Sequence, residues 1–263
     1  MFLVYSQNVW NCLPAAYRNR MVRQLIAHVD ADVCLFQECA PDTVRRGEDE
    51  APLPALMSDG YQEICPELAH KNFTPIFIKK DAFHVLDSGW ELYDGLNDAD
   101  SKSVTWAVLE DKHTAARFAV VSTHLWWRWD DDGDNAQRLD NVRQLKALCD
   151  KLVNKYGVPV IVGGDFNCGE NAPTGEEPYY FALEQGFRDL RRTAPVTTRQ
   201  YTHRYCNPVA VDGRHDTGVA PDENLDYIFT YGQGVNPTRF AVLTDEVALA
   251  SSDHCPLLGE FEI

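Results

Sequence analysis

Residues that could act as acids, bases or metal ligands recur where apolar segments of the sequence end. The stretch "VIVGGDFNCG", residues 160–169, runs from apolar residues through two glycines to Asp165 and Asn167. Two explanations fit this stretch when it is taken alone. The glycines could form a turn that Asp165 caps by accepting backbone N–H bonds. Alternatively, a buried strand could end here so that two oxygen-bearing side chains reach a shared site.

Six further polar residues lie at the edges of other apolar runs. They are Asn8, Glu38, His124, Asp226, Asp253 and His254. Each has an ordinary structural explanation, such as a turn residue or a buried histidine bonded to the backbone. Separate explanations for all of them are improbable together. Because open α/β sheets carry their sites in loops at strand ends, the pattern indicates one shared site.

The residue types suit chemistry on phosphate esters. Oxygen ligands such as Glu38, Asn8 and an aspartate suit Mg²⁺, which binds few carboxylates and keeps waters that a substrate can displace. Histidines beside carboxylates suit proton transfer and charge stabilisation near neutral pH. The cysteines form no CxxC pair and the chain has no HExxH motif, so the sequence indicates no zinc site.

Hydrophobic periodicity predicts the elements that position these residues. Strands are expected at 2–9, 32–38, 74–80, 103–110, 117–127, 158–162, 224–231 and 255–263, and helices at 14–29, 135–155 and 177–185. Residues 191–223 show no regular pattern. Strands and helices are mixed without a repeat or a linker, which predicts a single α/β domain over residues 1–263.

Composition and charge limit the class of function. A formal net charge of −16 disfavours a protein that depends on nonspecific contacts with nucleic-acid phosphates, although a nucleic acid stays open as a substrate. No apolar run is long enough to span a bilayer, and the N-terminus lacks the features of a signal peptide. Eight scattered cysteines, several in apolar segments, are typical of free thiols. We therefore expect a cytoplasmic protein, and no feature predicts its oligomeric state.

Two regions offer candidate substrate contacts. Residues 187–204 carry five arginines against one aspartate, so Arg191 and Arg192 could bind a substrate phosphate, as could Lys102 elsewhere in the chain. A solvated loop that neutralises an acidic body explains the arginines equally well. Trp126 follows shortly after His124 and could stack on a base or a sugar, although packing is an alternative.

Six motifs resemble those of the endonuclease/exonuclease/phosphatase superfamily, which has the deoxyribonuclease I-like fold. In chain order they are "SQNVW", "LFQE", "STHL", "GGDFN", "LDYIF" and "SDHCPL". The resemblance extends from residue 4 to 258. It implies an α/β fold, a four-layer sandwich of two packed mixed β-sheets flanked by helices. It also implies Mg²⁺, replaceable by Mn²⁺, at Glu38, with Asn8 beside it, Asp253 sharing a second site and Asn167 contacting the phosphate or the metal.

The same resemblance assigns catalytic roles. His254 corresponds to a catalytic histidine partnered by Asp253, and Asp165 to the carboxylate that activates the attacking water. His124 corresponds to a phosphate-stabilising histidine that Asp226 orients. The implied reaction is Mg²⁺-dependent hydrolysis of a phosphomonoester or phosphodiester, of a small molecule or a short nucleic acid, by in-line attack of water. The alternatives are a nuclease acting on DNA or RNA and a non-catalytic binding protein that retains the fold.

Overall fold

The computed structural model describes residues 1–10, 16–39, 53, 57–129, 132–170, 172, 174–198, 200–203 and 223–263. The strands within these residues are β1 (Phe2–Asn8), β2 (Val33–Gln37), β3 (Tyr61–Glu63), β4 (Ile76–Lys79), β5 (Phe83–Leu92), β6 (Ser103–Asp111), β7 (Arg117–His124), β8 (Val160–Asp165), β9 (Arg188–Asp189), β10 (Val196–Thr197), β11 (Asp226–Tyr231), β12 (Asn236–Val242) and β13 (Leu257–Glu262). The helices are α1 (Ala16–Val29), α2 (Asp132–Tyr156), α3 (Glu177–Glu184), α4 (Leu190–Thr193) and α5 (Glu246–Ser251). No helix in this part of the chain is long and apolar enough to cross a membrane.

The strands form two mixed β-sheets. The seven-stranded sheet has the order β10-β12-β13-β1-β2-β4-β3, and the six-stranded sheet has the order β5-β6-β7-β8-β11-β9. In the second sheet, β8 pairs in parallel with β7 and antiparallel with β11. This register places His124 on one side of Asp165 and Asp226 on the other. Three of the predicted site residues therefore lie at one edge of the same sheet.

Three apolar clusters separate four layers, as the fold prediction requires. The first lies between the sheets and contains Leu35 from β2 and Ile161 from β8. The second packs the six-stranded sheet against α2 and α3, and the third packs the seven-stranded sheet against α1 and α5. The predicted four-layer α/β sandwich of two mixed sheets flanked by helices is confirmed.

The glycines of "VIVGGDFN" belong to strand β8 and not to a turn. A Cβ atom on Gly163 would lie 2.6 Å from Leu35 Cδ1 in the opposite sheet, and one on Gly164 would lie 2.1 Å from the Thr123 carbonyl oxygen of β7. Glycine is required at both positions because the chain packs too closely for a side chain. The strand explanation of this stretch is therefore correct, and Asp165 is the last residue of the strand.

Several elements differ from the predicted ones. Strand β8 extends three residues beyond the predicted end at 162. The prediction stopped there because the two glycines that follow are compatible with either a turn or a strand. The edge strand β5 was not expected, because half of its residues are exposed and its pairing shifts between Val85 and Asp87. Strand β12, half exposed and irregular near Pro237, was also missed. Part of the expected irregular stretch from 191 forms α4 and β10, and 204–222 lie outside the described residues.

Candidate active site

Hydrogen bonds from Asn8 join the two sheets at the edge where the polar residues collect. Asn8 Nδ2, at the end of β1, donates to Asp165 Oδ2 at 2.9 Å and to Glu38 Oε1 at 3.2 Å. Its Oδ1 accepts the backbone N–H of Trp10 at 2.9 Å, which fixes the orientation of the amide. Asn8 therefore presents N–H groups to the site, and its predicted role as a metal ligand does not fit this geometry.

A buried carboxylate and imidazole pair forms the centre of the site. His254 Nδ1 lies 2.8 Å from Asp226 Oδ2, and both residues are buried. The pairing differs from the predicted one, in which Asp253 partners His254, since Asp253 Oδ1 lies 4.0 Å from His254 Nε2. Asp226 faces His254 and not His124, because the loop after α5 brings His254 over the start of β11. The sequence identified both residues but assigned Asp226 to the wrong histidine.

His124 lies on the opposite side of the site and is fully buried. Lys102 Nζ lies 3.0 Å from its Nε2 and 3.2 Å from its Nδ1. Asn167 Nδ2 lies 2.9 Å from the same Nε2. Among the described residues, the nearest carboxylate oxygen is Asp165 Oδ2 at 3.5 Å. The structure therefore brings together the side chains of His124, Lys102 and Asn167.

A tight turn after β8 brings Asn167 back towards His124. Asp165 Oδ1 accepts the backbone N–H of Asn167 at 2.8 Å, and Asn167 has a positive φ of 48°. Glu38, just past β2, has a φ of 51°. Non-glycine residues in this left-handed region are uncommon and often lie at functional sites. The spacing Asp-x-Asn is thus explained by a turn in which the Asp165 side chain accepts a hydrogen bond from the backbone of Asn167.

The neighbours of the two histidines shift their pKa values in opposite directions. Burial lowers the pKa of His124 well below its ordinary value, and the charges of Lys102 and His254 lower it further. Burial also disfavours the charged form of His254, but Asp226, Asp253 and Asp165 outweigh it and raise its pKa well above the ordinary value. His124 is therefore neutral and His254 protonated near neutral pH.

Asp165 lies between these two environments. Burial and the charge of Asp226 raise its pKa to about 7, against the lowering effects of His254, the Asn8 side chain and the Asn167 backbone. A carboxyl group with this pKa exchanges its proton near neutral pH, which is the property that a general base or acid needs.

Thr202 and His203, which no sequence motif indicated, connect the separate parts of the site. Thr202 Oγ1 accepts the backbone N–H groups of Leu225 at 2.9 Å and Asp226 at 3.0 Å. The Thr202 carbonyl oxygen accepts the N–H of Cys255. Its neighbour His203 forms β-bridges with Glu223 and with His254. This segment lies within the arginine-rich stretch, where no hydrophobic pattern or motif indicated a structural role.

The side chains of the site fall into three groups whose ligand atoms lie within 4.8 Å of one another. The groups are Glu38 with His124 and Asp165, Asp165 with Asp226 and His254, and His203 with Asp253 and His254. Glu38 and Asp253, both predicted to bind metal, belong to different groups. Among the described residues, two buried carboxylate oxygens, Glu223 Oε1 and Asp226 Oδ1, have no hydrogen-bond partner. An excess of buried carboxylate oxygens is the donor chemistry that a divalent cation favours.

The structure places three of the predicted substrate contacts away from this site. Trp126 is 4% exposed and its Nε1 donates to Asp134 Oδ1 at 2.6 Å, so its ring is packed and does not face a ligand. The Arg191 guanidinium lies over the Phe240 ring, and that of Arg192 lies over Tyr179. Both arginines line a separate pocket of about 310 Å³. The neighbours of these three side chains account for their positions, and contact between them and a substrate stays a prediction.

Comparisons with known proteins agree with the fold and the motifs. A structure from Bacteroides vulgatus, described as an endonuclease/exonuclease/phosphatase, is 21% identical, covers 100% of this chain and 98% of its own, and gives a TM-score of 0.76. The mannosyl-6-phosphatase of Bacteroides thetaiotaomicron is 18% identical over 100% of both chains, with a TM-score of 0.75. D. rerio TDP2, complexed with a single strand DNA product, is 16% identical over 100% of this chain and 99% of its own, with a TM-score of 0.69.

Similarity at these identities shows the fold alone. No curated protein matches the chain by sequence. The sequence model of the Endonuclease/Exonuclease/phosphatase family, however, matches residues 5–254. That match includes every predicted catalytic residue and the strands that position them, so this chain belongs to the endonuclease/exonuclease/phosphatase family.

Proposed function

We propose that this chain is a divalent-metal-dependent phosphoric ester hydrolase that cleaves phosphomonoesters or phosphodiesters by in-line attack of water. The observation that supports this most is the position of Asp165 between two unlike histidines. On one side lies the protonated His254, held by Asp226. On the other lies the neutral His124, with Lys102 and Asn167. Hydrolysis of a phosphate ester needs both a base and positive charge at one place.

Each side chain has a role in this reaction. Asp165 accepts a proton from the attacking water, whose oxygen bonds to phosphorus as the bond to the leaving oxygen breaks. A pKa of about 7 makes this carboxylate a competent base near neutral pH. The His254 imidazolium, with Lys102 and the Asn167 amide, donates hydrogen bonds to the phosphoryl oxygens, where negative charge develops.

The metal is proposed to be Mg²⁺, with Mn²⁺ able to replace it, and Glu38 is its proposed ligand. The Glu38 side chain is 22% exposed, so an ion can reach it from solvent. Bound there, the cation polarises the phosphoryl oxygens and neutralises charge on the leaving oxygen. Asn8 is reassigned as the hydrogen-bond donor that positions the Glu38 and Asp165 carboxylates.

Replacing Glu38 tests the metal assignment separately from catalysis. We expect Glu38→Gln to keep the fold, lose most activity and bind Mg²⁺ more weakly in a calorimetric titration. Glu110→Gln, at the half-buried end of β6 and with the same 22% side-chain exposure as Glu38, is the matched control and should leave Mg²⁺ binding unchanged. Unchanged Mg²⁺ affinity with surviving activity in Glu38→Gln would remove Glu38 from the metal site.

The proposed substrate is a small phosphorylated molecule or a short single strand. A net charge of −16 repels long polyanions, and a small ester needs few positive contacts beyond the site itself. The fold occurs both in a mannosyl-6-phosphatase and in a protein solved with a single strand DNA product. The second candidate is therefore a nuclease acting on DNA or RNA. Efficient nicking of a plasmid, with a steep dependence on salt, would favour that candidate.

Two further proposals concern the whole chain. Six of the eight cysteines lie in the described residues and are buried, and the free thiols of Cys34, Cys65, Cys149 and Cys168 support the proposed cytoplasmic location. The other two, Cys12 and Cys206, lie outside the described residues. The apolar cluster between the two sheets draws on strands from both halves of the chain, which supports one domain over residues 1–263.

A panel of substrates tests the proposed reaction. It contains p-nitrophenyl phosphate, its bis-ester, sugar phosphates, nucleotides and a short single-stranded oligonucleotide, each assayed with Mg²⁺, with Mn²⁺ and with a chelator. We expect metal-dependent hydrolysis of at least one small ester, abolished by Asp165→Asn. Absence of turnover on the whole panel, with Mg²⁺ shown to bind, would favour a non-catalytic binding protein.

A further inference from the structure

Two histidines of the site, His203 and His254, lie on either side of the Asp253 carboxylate, and each has a second carboxylate near its Nδ1 atom. His254 Nδ1 lies 2.8 Å from Asp226 Oδ2, and His203 Nδ1 lies 3.7 Å from Glu223 Oε1. The opposite ring nitrogens both face Asp253, with His203 Nε2 3.8 Å from Oδ2 and His254 Nε2 4.0 Å from Oδ1. In each imidazole, Nδ1 thus faces its own carboxylate, and Nε2 faces the shared Asp253 carboxylate.

This arrangement is the one that orients metal-binding histidines. A ligating histidine commonly directs its other ring nitrogen to a carboxylate, which fixes the tautomer and makes the ligating nitrogen more basic. Asp226 already makes this contact with His254 at 2.8 Å, and the buried Glu223 faces His203 at 3.7 Å, so that a small movement of the ring completes the second contact. The ring centroids of His203 and His254 lie 4.6 Å apart, with an angle of 45° between the ring planes.

We propose that His203, Asp253 and His254 bind a first-row transition-metal ion such as Zn²⁺, at a position distinct from the Mg²⁺ site at Glu38. The two nitrogens stand 3.8 and 4.0 Å from the Asp253 oxygens, beyond hydrogen-bond length. Ligand atoms around a tetrahedral Zn²⁺ are separated by about 3.3 Å, given metal–ligand distances of about 2.0 Å. Small side-chain movements are therefore enough to close the site around an ion.

The types of the ligand atoms at this site favour Zn²⁺ over Mg²⁺. Two imidazole nitrogens and one carboxylate suit Zn²⁺ and its neighbours in the first transition row, whereas Mg²⁺ prefers oxygen ligands alone. The site is also accessible, since the Asp253 side chain is 20% exposed and that of His203 is 13% exposed. Binding releases the protons that the surrounding carboxylates otherwise hold on the two rings. A fourth position remains for water, as in open zinc sites.

An ion at this position has a consequence for activity, and that part rests on the proposed function. The ion occupies His254 Nε2, which is the nitrogen that faces Asp165 at 3.9 Å. His254 then has no proton to donate to a phosphoryl oxygen. We therefore expect Zn²⁺ to inhibit hydrolysis when Mg²⁺ is already saturating. Binding of the ion, by contrast, is measurable whether or not the chain is an enzyme.

Calorimetric titration of the untagged protein with Zn²⁺ in excess Mg²⁺ tests the site. His203→Phe keeps an aromatic ring and removes the ligating nitrogen, and we expect it to weaken Zn²⁺ binding at least tenfold. His113→Phe, at an exposed turn, is the matched control and should bind as the wild type does. Glu38→Gln should also retain the Zn²⁺ site. Unchanged affinity in His203→Phe, or loss of Zn²⁺ binding in Glu38→Gln, would overturn the proposal.

A second measurement uses the wild-type protein and does not depend on a variant that folds. X-ray absorption at the zinc edge should show two imidazole ligands and a light-atom shell at about 2.0 Å. A spectrum with oxygen ligands alone would contradict the site. If zinc binds through two imidazoles but leaves hydrolysis unaffected, the proposed role of His254 fails while the metal site stands.

Discussion

The two sides of the site contain the same side chain in opposite electrostatic surroundings. The acidic side consists of Asp226, Asp253, His203 and His254, and the basic side consists of Lys102, His124 and Asn167. Both His124 and His254 are buried, so desolvation acts on them in the same direction. Nevertheless, the pKa of His254 is raised and that of His124 is lowered. Burial therefore sets the direction of the pKa shift for His124, with the charges of Lys102 and His254 adding to it, whereas the carboxylates around His254 outweigh burial and reverse the direction there.

The comparison also explains Asp165. It lies between the two sides, 3.5 Å from His124 Nε2 and 3.9 Å from His254 Nε2. Burial and the charge of the nearby Asp226 carboxylate raise its pKa to about 7, while the charge of His254 opposes the increase. Three distant segments, β7, β8 and the loop after α5, thus bring a neutral imidazole, a carboxyl group that titrates near neutral pH and a protonated imidazole to one place.

The largest expected effect is the loss of His254. His254→Ala should lower kcat by about two orders of magnitude or more, since it removes a charged donor to the developing phosphoryl charge. His124→Ala should have a similar effect from the basic side. The double variant should lose less than the product of the two, because both groups serve one transition state. Near-normal turnover in either single variant would remove that side from the mechanism.

Asp226→Asn should have the next largest effect, a loss of about 10- to 100-fold in kcat, which is the usual cost of a removed orienting carboxylate. The amide can still accept the Nδ1 hydrogen bond but carries no charge, so the pKa of His254 should fall. Asp253→Asn is the matched comparison, because Asp253 lies beyond hydrogen-bond distance of His254. A larger fall in the His254 pKa in Asp253→Asn would restore the pairing that the sequence suggested.

The dependence of rate on pH should show a smaller effect. Asp165 must be ionised to accept a proton, and its pKa is raised to about 7. The rate should therefore rise with pH through this region and level off above it. Asn8→Ala removes a hydrogen bond that lowers the Asp165 pKa, so it should move the rise to higher pH. A rate that falls as pH increases through neutrality would contradict the assignment of Asp165 as base.

The smallest effect is expected for Arg191→Ala combined with Arg192→Ala. The sequence analysis predicted contact between these arginines and a substrate phosphate, in which case KM rises while kcat is nearly unchanged. The structure instead places their side chains over aromatic rings outside the site. We now expect kcat and KM to change less than about twofold. A large increase in KM for a small ester would show that the separate pocket binds substrate.

The strand ends were predictable, but the contacts between them were not. Apolar runs that stop at His124 and Asp165 indicated where side chains emerge, and the motif order indicated the family. The partner of His254 depends on the antiparallel register of β11 with β8 and on the loop after α5, which no local pattern encodes. The assignment of Asp226 to His124 failed for this reason.

Burial and distant segments account for the other differences. Trp126 follows the site histidine closely, and sequence proximity does not reveal that its indole donates to Asp134 in α2. His203 and Glu223 reach the site only through their bridge pairing, from a stretch that shows no periodicity. The amide of Asn8 matched the composition of a metal ligand, whereas its orientation is set by the backbone N–H of Trp10.

The most direct test of the account is the protonation of His124 and His254 in the metal-free protein. Long-range proton–nitrogen NMR of the histidine rings, recorded as a pH titration, reports each state, and His124→Ala and His254→Ala assign the signals. The account predicts that at neutral pH both ring nitrogens of His254 are protonated while His124 is a neutral imidazole. A neutral His254 beside a protonated His124 would contradict it.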